Sequence, residues 1–156
     1  MNRRESAQHL ALGLLLGMGL RPLPLLWWRR KREAKAAPVS LPKLIALHNE
    51  ARETPLEAHP KLMSYAAAWA AEMAKTTRMR HSSMRDISAL GFSTVGENIA
   101  VGQKDEESVM RAWLSSPGHR RNIKSGSYTH LGVGAAMPVD SDRIYWCACF
   151  GRPKEE

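Results

Sequence analysis

Two cysteines in 156 residues are too few for a disulfide framework, and their spacing argues against even one bond. Cys147 and Cys149 stand at i and i+2, so on a strand they share a face. Their Cα atoms would then lie about 6.5–7 Å apart, beyond the usual disulfide span. The fold is expected to stand without a disulfide, and the cysteines identify no compartment. Small hydrophobes on a buried strand is the favoured reading, ahead of a redox or metal pair. The chain also has no HExxH, no paired CxxC and no GxSxG elbow, so no compact motif declares a metal or hydrolase site. It has no internal repeat and no low-complexity segment. No unbroken apolar run reaches the ~20 residues of a membrane span.

Excess charge is missing from most of the chain as well. The formal net charge is +8, but residues 1–40 hold 8 Lys/Arg against 2 Asp/Glu, and residues 41–156 hold 15 against 13. A domain that is nearly balanced has no electrostatic footprint for DNA or RNA, and nucleic acid is set aside as a partner.

What is present divides at residue 40. Residues 1–40 read as a signal peptide or membrane-anchor leader with a basic linker, and residues 41–156 as one domain. The leader's apolar run, Leu10 to Leu20, follows Arg3 and Arg4 and has the length of a signal-peptide core. Small residues around Ala34–Ala37 suit cleavage. Trp27 and Trp28 before Arg29-Arg30-Lys31-Arg32 suit instead a retained anchor, with membrane association through residues 10–28. The five cations from Arg29 to Lys35, against two before the run, favour a cytoplasmic downstream side. Export or tethering (secreted, periplasmic or membrane-tethered) is the preferred reading, with a cytoplasmic domain as its alternative. Ala36-Ala37-Pro38-Val39 reads as a linker.

Within the domain, Ser40-Leu41-Pro42 supplies an N-cap and a first-turn proline for a helix to about Arg52. His59-Pro60 starts a second, with Leu62, Tyr65, Ala66, Trp69 and Met73 at helical steps to Thr76-Thr77. Residues 78–95 read as irregular with one helical turn, and Glu97 to Val101 as a short extended segment. Asp105 begins a third helix, with Glu106 and Glu107 in its first turn, and Ser116-Pro117 restarts a helical turn to about Lys124. Leu131–Ala136 and Ile144–Phe150 read as strands joined by a turn at Asp140-Ser141-Asp142. Helices first and a hairpin last predict an α+β fold, with helices packed on a small, mostly antiparallel sheet.

The chemistry concentrates between His81 and His119. Ser116 as N-cap and Pro117 at N1 place His119 near N3, where the helix dipole favours the neutral ring, the form a metal requires. Glu97, beside the apolar pair Ile99-Ala100, needs a partner if buried. His81, Glu97 and His119 form a two-His, one-carboxylate set suited to zinc or another divalent ion. Against this stands a structural Glu–His link, which spacing alone favours. Ser82, Ser83 and Ser116 lie near these histidines and admit a Ser-His-Glu triad, although Ser116 is more simply a cap. His48, His59 and His130 read as helix-face, cap and strand-opening residues.

The ordered set His48-Asn49-Glu50-Ala51-Arg52, His81-Ser82, Gly96-Glu97-Asn98-Ile99-Ala100, Trp113 with Ser116-Pro117-Gly118-His119-Arg120-Arg121-Asn122-Ile123, Leu131-Gly132-Val133-Gly134, and Tyr145-Trp146 with Phe150 resembles the CAP superfamily. This is the SCP domain of cysteine-rich secretory proteins, antigen 5 and pathogenesis-related proteins, and the short bacterial type is the most similar. The resemblance spans roughly residues 43–151. It implies an α-β-α sandwich with a central cavity lined by two histidines and two acids, whose histidines hold a divalent ion, commonly zinc. His81, Glu97 and His119 match three of those positions. Ser116 stands where the family has its second acid, so the tetrad is one carboxylate short.

Three functions follow as expectations. The first is an exported or membrane-tethered binding protein for an extracytoplasmic ligand (lipid, peptide or protein), with a His-lined cavity of metal function. The second is a hydrolase of a peptide or cell-envelope polymer using His81, Glu97 and His119. The third is a structural interaction module without metal. Catalysis is left undecided, with a non-enzymatic binding role preferred, because the fold does not set the activity.

Overall fold

A computed structural model describes residues 32–155. The leader's apolar run and its membrane association, residues 10–28, lie outside the described residues. No helix among those described is long and apolar enough to cross a membrane.

Each helix begins where a side chain or a proline can occupy the free end of its backbone. Ser40 accepts from the Lys43 amide at 3.3 Å and opens α1, Leu41–Glu50. His59 accepts from Lys61 at 3.2 Å and opens α2, Pro60–Thr76, which closes on Thr77 in the left-handed region. Asp105 and Ser108 cap each other reciprocally to open α4, Glu106–Ser115. Between them lies α3, Met84–Ala89, capped by Ser83, and after them α5, Pro117–Lys124.

The sheet runs in the order β1-β4-β5-β3. Its strands are β1 (Ala34–Ala36), β3 (Phe92–Val101), β4 (His130–Pro138) and β5 (Tyr145–Pro153). These pair antiparallel, and β2, Glu57–Ala58, adds a short parallel pairing to β4. Strand alternation gives the sheet two apolar faces. Trp146, Ala148 and Phe150 of β5 join Leu44 of α1, Trp113 of α4 and Ile123 of α5. Tyr145, Cys147 and Cys149 join Ala66, Ala70 and Met73 of α2 on the other side. Helices thus cover both faces, and the fold is the expected α-β-α sandwich.

Two differences from the sequence reading concern strands. Ala34–Ala36, assigned above to the leader, pairs with Ala136–Pro138 as an edge strand, and Ala37 and Val39 pack on the core beyond it. Their composition carries no strand signal; the unpaired edge of β4 supplies the partner. The segment at Glu97 is also longer than predicted, because β3 begins at Phe92. An irregular register between Phe92 and Thr94 breaks the alternation that would have marked it.

Candidate functional site

The site is built around two consecutive residues of the edge strand β3. Successive strand residues point to opposite faces, so Glu97 turns toward the α2 side and Asn98 toward the α5 side. The Glu97 side chain is fully buried. Its Oε1 accepts a hydrogen bond from His81 Nδ1 at 2.7 Å and one from the Ser82 amide at 3.0 Å. Its Oε2 receives the same amide at 3.3 Å and the Cys147 thiol at 3.8 Å. These contacts meet the requirement that a buried carboxylate be partnered. They also orient the His81 ring, with Nδ1 facing the carboxylate and Nε2 turned away from it. The His81 side chain is 60% exposed, so that nitrogen is presented at the surface.

Asn98 is fully buried and performs the matching task on the other face. Its Nδ2 donates to the backbone carbonyl of His119 at 3.0 Å, and its Oδ1 accepts from Asn122 at 2.9 Å. Asn122 also donates to the Glu97 carbonyl at 3.2 Å. One turn of α5 is thereby fastened to β3 at two points, and His119 travels with it. Burial lowers the His119 pKa below 6.5, and repulsion from His81 lowers it further. Both causes disfavour the protonated form of His119.

The serines have different roles. Ser116 occupies the N-cap position of α5, as expected, but its side chain makes no capping hydrogen bond. Ser83 accepts from the Asp86 amide at 3.4 Å as the cap of α3. The Ser82 hydroxyl is buried and faces the Tyr65 hydroxyl. Among the described residues no hydrogen bond joins any of these hydroxyls to His81 or His119.

The other histidines among the described residues are structural. His48 is completely buried, with Nδ1 on the Leu44 carbonyl at 2.8 Å and its ring against Trp113 and Phe150. Its Nε2 has no partner, and burial lowers its pKa to about 4. His59 caps α2 and meets His130 edge-on at 5.4 Å.

Reading the sequence alone misses the supports. Asn49 makes paired hydrogen bonds with the Leu56 backbone, at 3.1 and 2.8 Å. The Arg52 guanidinium donates to the carbonyls of Ile123, Ser125 and Tyr128, gripping the end of α5. Trp113 Nε1 donates to the Ile99 carbonyl at 3.1 Å. Strand alternation is the signal that separates Asn98 from Glu97; nothing local announces the targets of Arg52.

His81 and His119 are the imidazoles a divalent ion would use. Among the described residues His81, Glu97 and His119 do not form a group of ligand atoms within 4.8 Å of one another, whereas Glu97, Cys147 and Cys149 do. Glu97 Oε1 already accepts from His81 and the Ser82 amide, so the effect of that oxygen on such an ion is through His81.

Residues 27–150 match the model of the Cysteine-rich secretory protein family, CAP. The uncharacterized protein YkwD of Bacillus subtilis (strain 168) is 36% identical over 104 residues, covering 59% of this chain and 40% of that protein. The uncharacterized membrane protein YlbC of the same organism is 41% identical over 59 residues, 38% of this chain and 15% of that one. The chain thus spans well under two thirds of the curated relatives it matches. Among solved structures, an extracellular protein containing a SCP domain from Bacillus anthracis str. Ames superposes with a TM-score of 0.61 at 25% identity, over 71% of this chain and 39% of that chain. An outer surface protein from Borrelia burgdorferi superposes with a TM-score of 0.62 at 20% identity, over 72% and 89% of the two chains. That second likeness concerns the fold alone.

Proposed function

The chain belongs to the cysteine-rich secretory protein (CAP) family, and from that premise we propose that it is an extracytoplasmic binding domain whose cleft holds a divalent ion on His81 and His119. The observation that carries this reading is the 2.7 Å bond from His81 Nδ1 to buried Glu97, which turns the other ring nitrogen outward. Zinc suits two neutral imidazoles and tolerates open positions. When bound, the ion supplies a Lewis-acidic point at which a ligand's carboxylate, carbonyl or phosphate oxygen is held. Glu97 orients His81 and raises its basicity; Asn98 and Asn122 place His119. Ser116, in place of the family's second acid, leaves the ion fewer anionic neighbours and the cleft more open to an incoming anionic group. The ligand is an extracytoplasmic lipid, peptide or protein.

Zinc titration of the purified protein tests this reading. His81→Ala and His119→Ala should each weaken binding at the cleft at least tenfold while the unfolding midpoint changes little. Undiminished zinc binding in both variants would remove the cleft site. Export is supported by the leader's apolar run and by similarity to a solved protein described as extracellular. Fractionation with N-terminal sequencing of the mature chain tests that part. Because Ala34–Ala36 forms β1, a mature chain is expected to begin upstream of Ala34 or to keep the whole leader; recovery in the cytoplasm would contradict export.

A further inference from the structure

Beneath the cleft lies a second group of ligand atoms. We propose that Cys147, Cys149 and Glu97 Oε2 form an interior site for a thiophilic, tetrahedral divalent ion of the zinc type, separate from His81 and His119. The site stands whether or not the cleft itself binds metal.

The argument is geometric. β5 is flanked by β4 and β3, and the i, i+2 spacing puts both thiols on its α2 face. Glu97 stands directly across from Cys149 in the β3–β5 register. The two sulfurs are 3.6 Å apart, and Cys147 Sγ is 3.8 Å from Glu97 Oε2. All three ligand atoms lie within 4.8 Å of one another. Zinc–sulfur bonds of about 2.3 Å and zinc–oxygen bonds of about 2.1 Å at tetrahedral angles give S···S and S···O edges of about 3.8 and 3.6 Å. These two of the three edges match to within about 0.2 Å, and the third, between Cys149 Sγ and Glu97, lies within 4.8 Å. Unlinked thiols packed only as small hydrophobes have no need of a carboxylate turned toward them.

The two carboxylate oxygens also divide the work. Oε1 carries the strong bonds, to His81 and the Ser82 amide, while Oε2 has only the longer amide contact and the thiol. Oε2 is thus the oxygen with capacity to spare, and it faces the sulfurs. Two thiolates and a carboxylate favour zinc, cadmium or cobalt(II) over magnesium or calcium, which prefer all-oxygen sets.

Binding exchanges protons for metal. Each thiol releases its S–H proton to solvent, and the divalent ion takes the place of both, so no oxidant or reductant enters. All three residues are buried, so uptake belongs to folding, before α2 closes over the strand.

The test uses the full chain, unfolded under a non-thiol reductant and refolded with cobalt(II). Thiolate-to-cobalt charge-transfer absorption reports sulfur ligation, and the chain contains only these two cysteines. The expected result is one cobalt retained per folded monomer after desalting, with that absorption present. It should persist in His81→Ala and His119→Ala and disappear in Cys147→Ala and Cys149→Ala. Folded wild-type protein without thiolate absorption would overturn the proposal, even if cobalt were retained at the histidines. Absorption lost on changing either histidine would overturn the separateness of the site. Should the cysteine variants fail to fold, the wild-type spectrum decides alone.

Discussion

On one face of the sheet, α2 lies so close to β4 that Gly132 and Gly134 have no room for a side chain. A Cβ on Gly132 would meet the backbone of Leu62 and Met63, and one on Gly134 the backbone of Ala66 and Ala67. On the other face, α1, α4 and α5 are tied by directed polar contacts: Arg52 to the end of α5, Asn98 and Asn122 between β3 and α5, and buried Glu106 of α4 to the Ser40 amide. The first face is closed by backbone contact and gives nothing when altered. The second is closed by hydrogen bonds, each of which can be removed singly. His81 is held by Glu97 on the first side and His119 by Asn98 on the second, both from the edge strand.

The largest expected effect comes from the closely packed face. Gly134→Val places side-chain atoms on helix backbone that cannot move aside, and should cost more than about 3 kcal/mol. Urea unfolding measures it, and a near wild-type midpoint would mean that α2 is not held so tightly.

On the polar face, His48 gives an effect of similar size that appears only in acid. Its folded-state pKa of about 4 lies below the unfolded value of 6.5, so the unfolded chain takes up the proton first. The stability due to this group is complete above about pH 6.5 and is lost as pH falls toward 4, up to about 3 kcal/mol. His48→Leu should flatten that part of the pH dependence of unfolding; a variant as acid-sensitive as wild type would contradict the assignment.

Arg52→Ala leaves the carbonyls at the end of α5 without their donor and should cost about 2 kcal/mol. Arg52→Lys should recover little of it, since an ammonium lacks the planar fork. Denaturation of the two variants side by side measures this; full recovery by lysine would show that charge alone is sufficient.

The smallest effect separates two caps. Asp105→Ala removes a reciprocal cap and should cost about 1 kcal/mol, whereas Ser116→Ala removes no bond and should fall below about 0.5 kcal/mol. Equal costs by thermal unfolding would mean that Ser116 caps α5 in solution.

These contrasts follow how legible each part was in the sequence. Helix starts were readable because Ser40, His59 and Asp105 are local signals acting on their own backbone. The β4–β5 hairpin was readable from its apolar runs and polar turn. β1 was not, because Ala34-Lys35-Ala36 becomes a strand only by finding the edge of β4. The start of β3 was hidden by its irregular register. At the site, His81, Glu97 and His119 were visible as chemistry, and the ordered family motifs indicated that they converge. The use of Asn98 as the second anchor, and of Oε2 as a neighbour of the thiols, depends on which strands adjoin β3 and β5. That is a long-range fact with no local signature, and i, i+2 spacing on its own made the cysteines look inert.

The central claim is that neighbouring residues of one edge strand each hold one histidine, from opposite faces. Ring-nitrogen NMR of the metal-free protein above pH 7 tests it most directly, in wild type, Glu97→Gln and Asn98→Ala. The account predicts a wild-type His81 protonated on Nδ1, a tautomer balance disturbed by Glu97→Gln alone, and His119 signals displaced chiefly by Asn98→Ala. A wild-type His81 protonated on Nε2, or both histidines responding alike to either change, would contradict it.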